Sequence, residues 1–131
     1  MNTDLLQLVA AAADLCRKPL RHAVRVPAGT LPPATVSLAD LEEDVTFLLE
    51  VRDSEGRRLP EEDLELELYR SGGDLHLMLG WLHRDELPLL WQGSHPVWMD
   101  GVSGIRCERP AEGPPLEALA RRLRALLRPD R

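Results

Sequence analysis

Between residues 45 and 82 the chain alternates apolar and polar side chains with a period of two, three times over. Val45, Phe47, Leu49 and Val51 share one face of the first run. Leu64, Leu66 and Leu68 alternate with Glu65 and Glu67 in the second, and Leu75, Leu77, Leu79 and Trp81 mark the third. A strand sends successive side chains to opposite sides, so such runs bury one face and leave the other outside. Turn residues separate the runs: Asp53-Ser54-Glu55-Gly56 after the first and Ser71-Gly72-Gly73-Asp74 after the second, the latter a hairpin signature. No helical periodicity lies between them, which points to antiparallel pairing and away from βαβ units. The outer faces are not uniformly polar. Leu48 sits between Thr46 and Glu50, and the side of the third run away from its leucines carries His76, Met78, Gly80 and Leu82.

Shorter strand signals surround this centre. Leu20–Val26 places Leu20, Ala23, Val24 and Val26 among Arg21, His22 and Arg25. A Pro/Gly loop over 27–34 leads to Val36 and Leu38, which alternate with Thr35 and Ser37. Leu87–Trp91 follows, with Pro88 marking a strand start or a sheet edge. Val97–Met99 and Val102–Cys107 complete the set. Helical spacing occurs at the two ends. Leu5, Leu8, Val9, Ala12 and Cys16 form one stripe, with Asn2 or Thr3 as N-cap and Pro19 as the stop. Leu116, Leu119, Ala120, Leu123, Leu126 and Leu127 form another, opened by Pro114 or Pro115, with Glu117 and Arg121 as an i,i+4 pair. The expected fold is mainly β: an antiparallel sheet or small β-sandwich of five to seven short strands with N- and C-terminal helices, or alternatively an α+β arrangement. The 131 residues read as one domain: a helix or targeting-like segment over 1–18, a β-rich core over 20–107 and a C-terminal helix over 114–128.

Apolar residues make up 44% and charged residues 29%, the balance of a globular chain. The net charge of −6 is concentrated, since residues 40–67 carry three basic against twelve acidic side chains. A field of that sign repels phosphate backbones and excludes nucleic acid as the main partner. Arg121, Arg122, Arg124 and Arg128 of the C-terminal helix are expected to face solvent or that acidic segment.

The motifs of common chemistries are missing. There is no GxxxxGK[ST], no GxGxxG after a strand and no GxSxG elbow. His22, His76, His83 and His95 are scattered, and on one continuous strand His76 and His83 would point to opposite faces. Cys16 and Cys107 lack metal-ligand spacing and suit either one bridge or two buried thiols. The carboxylate runs Glu42-Glu43-Asp44 and Glu61-Glu62-Asp63 read as solvated turns. No catalytic residue, metal or cofactor is therefore expected. The aromatic residues are more telling, because Trp81, Trp91 and Trp98 fall within eighteen residues of an otherwise aromatic-poor chain. Parity assigns Trp81 to the core. Trp91 and Trp98, with Leu89 and Val97, are the candidates for contact with a protein partner. A sheet edge near Pro88 is a second place for an extended peptide.

Two stretches carry a family resemblance. Arg25-Val26-Pro27, followed by Leu31-Pro32-Pro33-Ala34-Thr35-Val36-Ser37-Leu38, resembles the opening of small bacterial β-sandwich lipoproteins, and Leu89-Leu90-Trp91 with His95-Pro96-Val97 resembles their closing strand. Some of these lipoproteins are pilotins, which escort an outer-membrane secretin of a type III secretion system. The similarity spans about residues 20–100. It implies a sandwich, a non-enzymatic escort role, a secretin segment as partner, a periplasmic or outer-membrane-associated location, and lipidation at Cys16 as the sole route to a membrane. Asp14 and Leu15 stand where that signal has small residues. The alternative is a cytoplasmic, acidic, homodimeric α+β module such as a secretion chaperone or a regulatory domain.

Overall fold

The alternating runs become neighbouring strands of one sheet. The computed structural model describes residues 5–28, 44–71 and 74–127. Helix α1 (Leu5–Cys16) leads into β1 (Arg21–Arg25), β2 (Val45–Arg52), β3 (Leu64–Ser71), β4 (Asp74–Trp81), β5 (Leu89–Gln92), β6 (Pro96–Met99) and β7 (Arg106–Cys107), and α2 (Gly113–Leu127) follows. A 3-10 turn, Pro60–Glu62, precedes β3. The sheet is a meander in sequence order, every pair antiparallel. All the described strands lie in one sheet, so the mainly β class with flanking helices holds while the sandwich does not form. The place of a second layer is taken by the helices: α1 packs on β1, α2 packs on β4 and β5, and the two touch each other. The alternation at Val36 and Leu38 and the N-cap at Asn2 or Thr3 lie outside the described residues.

Register explains what is buried. Phe47, Leu66, Leu79, Leu90 and Trp98 stand side by side across five strands, and with their neighbours two residues away they form the inner face. Leu5, Val9, Ala12 and Ala13 of α1 and Leu116, Leu119, Ala120, Leu123 and Leu127 of α2 complete the same core. Leu126, expected in that stripe, is 47% exposed; the helix turns it past the edge of the contact.

In β1, His22 and Val24 face inward, paired with Val51 and Leu49, while Ala23 points out. Three further expectations are corrected. The strand near Pro88 is interior, between β4 and β6, so the sheet edges are β1 and β7. The strand expected over Val102–Cys107 shrinks to two residues because Asp100 Oδ1 accepts the N–H groups of Val102 and Ser103, both at 2.9 Å, and folds the chain into a hairpin tip. Nor does α2 dock on the acidic segment: among the described residues its Arg124 pairs with Asp74 at 3.0 Å and donates to the Leu75 carbonyl, and no ion pair joins α2 to residues 44–71.

Burial of Leu123 and exposure of Leu126 make a paired test of the helix face. Leu123→Ala should lower unfolding free energy by about 2–5 kcal/mol in urea titrations, and Leu126→Ala by about 0.5 kcal/mol or less. Equal losses would mean that α2 is rotated from the position described.

Candidate functional site

Two groups of side chains stand apart from the apolar core, one polar and largely enclosed, the other on the outer face of the sheet. The polar group sits where α1 meets the sheet. Arg17, just past the end of α1, is buried and reaches Glu62 Oε1 at 2.8 Å and the Glu62 carbonyl at 3.2 Å. Its other contact is His22 Nε2 at 3.1 Å. A guanidinium only donates, so Nε2 is the acceptor nitrogen and Nδ1 carries the proton, which it gives to Asp14 Oδ1 at 2.9 Å. The same carboxylate oxygen accepts the His22 backbone N–H at 2.8 Å. Burial lowers the His22 pKa against the pull of the Asp14 hydrogen bond, so the ring is neutral. An Asp–His pair is the framework of a general base, but here the nitrogen that would take a proton is occupied by Arg17. The arrangement clamps α1 to β1 and to the 3-10 turn.

Asp63 extends the clamp. It is buried, accepts the Val51 N–H at 2.8 Å and takes a two-pronged contact from Arg58 at 2.8 and 2.9 Å. His83 Nε2 lies 3.5 Å from its other oxygen. Burial alone would raise the Asp63 carboxyl, but Arg58 and the Val51 N–H hold it below the usual carboxylate range. Of the carboxylate run expected to be a solvated turn, Asp63 is thus structural. Among the described residues no group of three or more His, Cys, Asp or Glu side chains is placed to hold a metal, and no helix is long and apolar enough to cross a membrane.

The outer face has a different character. No described element packs on it. Its central row runs Thr46, Glu67, Met78, Trp91 and Val97 across β2 to β6, and the next row runs Leu48, Glu65, Gly80, Leu89 and Met99. Beside them Tyr69, His76 and Trp91 form a stack, with ring centroids 5.5 Å apart for Tyr69 and His76 and 5.2 Å for His76 and Trp91. Trp91 Nε1 donates to the Tyr69 hydroxyl at 2.5 Å, which holds the indole in place. Gly93 makes room for the stack, since a Cβ there would come within 2.7 Å of the Trp91 ring. Gly80 does the same for Leu89, whose side chain lies across the space a Cβ would fill. Between the two rows is a cavity of about 130 Å³ lined by Glu65, Glu67, Met78 and Leu89 among others. Burial pushes the Glu67 carboxyl up, and the charges of Asp44 and Glu65 add to the rise.

Register brings Leu89, Trp91 and Val97 together on this face, all half-buried. Trp98 is a correction. It is 4% exposed, on the inner face, stacked on Trp81 at 6.3 Å, and its Nε1 donates to Glu117 Oε2 at 2.6 Å. Glu117 is itself buried and held by Arg109 at 3.2 Å, so the expected Glu117–Arg121 pair gives way to a bond that ties α2 to β6. Cys16 lies at the end of α1, its thiol pKa raised by burial, and the same helix supplies Leu5, Val9, Ala12 and Ala13 to the core. Both cysteines are free, Cys107 exposed on β7. Sequence reasoning missed Tyr69, His76, Met78, Met99 and the two outward glutamates. The signal was present in the non-polar outer parity of residues 76–82.

A family model for a domain of unknown function, DUF8659, matches residues 6–126. No curated protein and no solved structure matches the chain.

Because the folded state holds His22 neutral while the unfolded chain takes up a proton near its ordinary value of 6.5, stability should be fully present above that value. It should fall as pH drops through and below that value. His22→Gln should be less stable at neutral pH and lose most of the slope in that window, read by urea unfolding at several pH values. A variant with the wild-type slope would show that another group carries the dependence.

Proposed function

For a chain that belongs to the DUF8659 family of unknown function, we propose a non-enzymatic role: it binds a segment of another protein on the outer face of its sheet and escorts it. The observation that carries this is the composition of that face. Leu48, Met78, Leu89, Trp91, Val97 and Met99 stand on one side of a sheet that no described element covers. Aromatic side chains held rigid before binding lose little conformational freedom when a partner arrives, which is why they dominate interface energetics. The Tyr69–His76–Trp91 stack is such an anchor. Against an enzymatic role stands the engagement of the enclosed polar groups with one another, above all the Arg17 contact on His22 Nε2.

Escort of a secretin segment, the role implied by the resemblance to pilotins, is the finer form of this proposal. The same apolar face supports it, and it needs no lipid on Cys16.

Selection of binders from a displayed peptide library against the whole chain, followed by measurement with variants, tests the reading. Met99→Lys leaves the aromatic stack intact and should weaken the selected binders by about 2 kcal/mol or more, as hot-spot changes do. Trp91→Ala should do the same at some cost to stability. Leu126→Lys, on the far side of the molecule, should leave binding unchanged. Binders indifferent to both face variants, or a selection with no binders, would remove this face as the site.

A further inference from the structure

The outer face carries acid as well as apolar surface, and the acid is not neutralised from within. Glu65 is exposed and Glu67 half-buried on adjacent rows, and no ion pair reaches Glu65, Glu67 or Asp44 among the described residues. An ion pair on this face, Arg25 with Glu50 at 3.0 Å, lies toward the β1 edge. Like charges gathered at a partly desolvated place raise one another's energy, and a cation brought from outside relieves it. Beside the two glutamates Met78 and Leu89 line the same cavity. A long basic side chain can lay its aliphatic stem along such apolar surface while its head meets the carboxylates.

We infer that the segment bound on this face is cationic and amphipathic: apolar side chains on Leu89, Trp91, Val97 and Met99, and a lysine or arginine in the cavity walled by Glu65 and Glu67. This rests on the binding role proposed above and adds the partner's charge. A second copy of the chain is a poorer occupant. Its basic amphipathic element is α2, whose apolar stripe is already buried against β4 and β5.

Two of the three methionines, Met78 and Met99, lie on the outer face, and Met1 is outside the described residues, so ¹³C-methyl-methionine NMR of the whole chain reads the site directly. Three synthetic peptides of one length serve as probes: an amphipathic Leu/Lys peptide, its Leu/Gln version and its Leu/Glu version. The Leu/Lys peptide should shift Met78 and Met99 and bind at least tenfold more tightly than the Leu/Gln peptide at low salt, with the gap closing as salt screens the charges. The Leu/Glu peptide should bind more weakly than either. The double variant Glu65→Gln, Glu67→Gln should abolish the gap and keep the Leu/Gln affinity. Glu61→Gln with Asp85→Asn, which removes the same charge from other exposed positions, should keep the gap. Equal affinity for the Leu/Lys and Leu/Gln peptides, or a gap that survives the double variant, would overturn the charge inference and leave the binding role standing. Methionine shifts produced by none of the peptides would overturn both. Shifts that appear on raising the protein concentration alone would assign the face to a second copy.

Discussion

The seven described strands form one sheet with two faces, and both described helices pack on the same one. Everything else in the molecule follows from that asymmetry. The leucine face, with Phe47, Leu49, Leu64, Leu66, Leu68, Leu75, Leu77, Leu79 and Leu90 fully buried, draws in α1 from one end of the sequence and α2 from the other. Removing that much apolar surface from water is the dominant stabilising term, and it leaves no described element for the opposite side. The outer face therefore keeps a mixture that a solvent-facing sheet does not need: indole, imidazole, two methionines and unpaired carboxylates.

The enclosed polar side chains serve this geometry. A helix on a flat apolar sheet can slide, because dispersion and burial have little directional preference. Asp14, Arg17, His22 and Glu62 join α1 to β1 and the 3-10 turn through bonds whose geometry tolerates little sliding. The Trp98–Glu117 bond does the same for α2 against β6. Each of these groups would be costly to leave unpaired away from water. They specify position, while the leucines supply the energy.

How legible this was depended on the kind of signal. Val45–Val51, Leu64–Tyr69 and Leu75–Leu82 announced their strands because period-two alternation is a local property, and the hairpin at residues 71–74 announced the pairing of β3 with β4. The stripe on α2 was equally plain, apart from Leu126. What misled was chemistry that depends on tertiary partners. His22 looks like an outward polar residue in a short strand, yet Arg17 and Asp14 satisfy both of its ring nitrogens and let it turn inward. Trp98 follows a proline in a loop-interrupted stretch, and nothing local foretells that Glu117, nineteen residues on, will accept its N–H. The outer face was half visible. Trp91, Leu89 and Val97 were selected from their apolar neighbourhood, whereas Tyr69, His76, Met78 and Met99 join them only once the register aligns β3 to β6.

The contact between α1 and α2 brings the two ends of the described chain together in space, and this has a consequence for the order of events during synthesis. Each strand pairs with the one made just before it, so the meander can grow as it leaves the ribosome, each new strand docking on its predecessor. The inner face cannot be dried in that way. Its last cover is α2, which is translated after all seven strands. Until Leu116, Leu119 and Leu123 arrive, a nearly complete sheet shows its leucines to every passing chain, and the nascent molecule is most exposed to misassociation in the interval between β7 and α2.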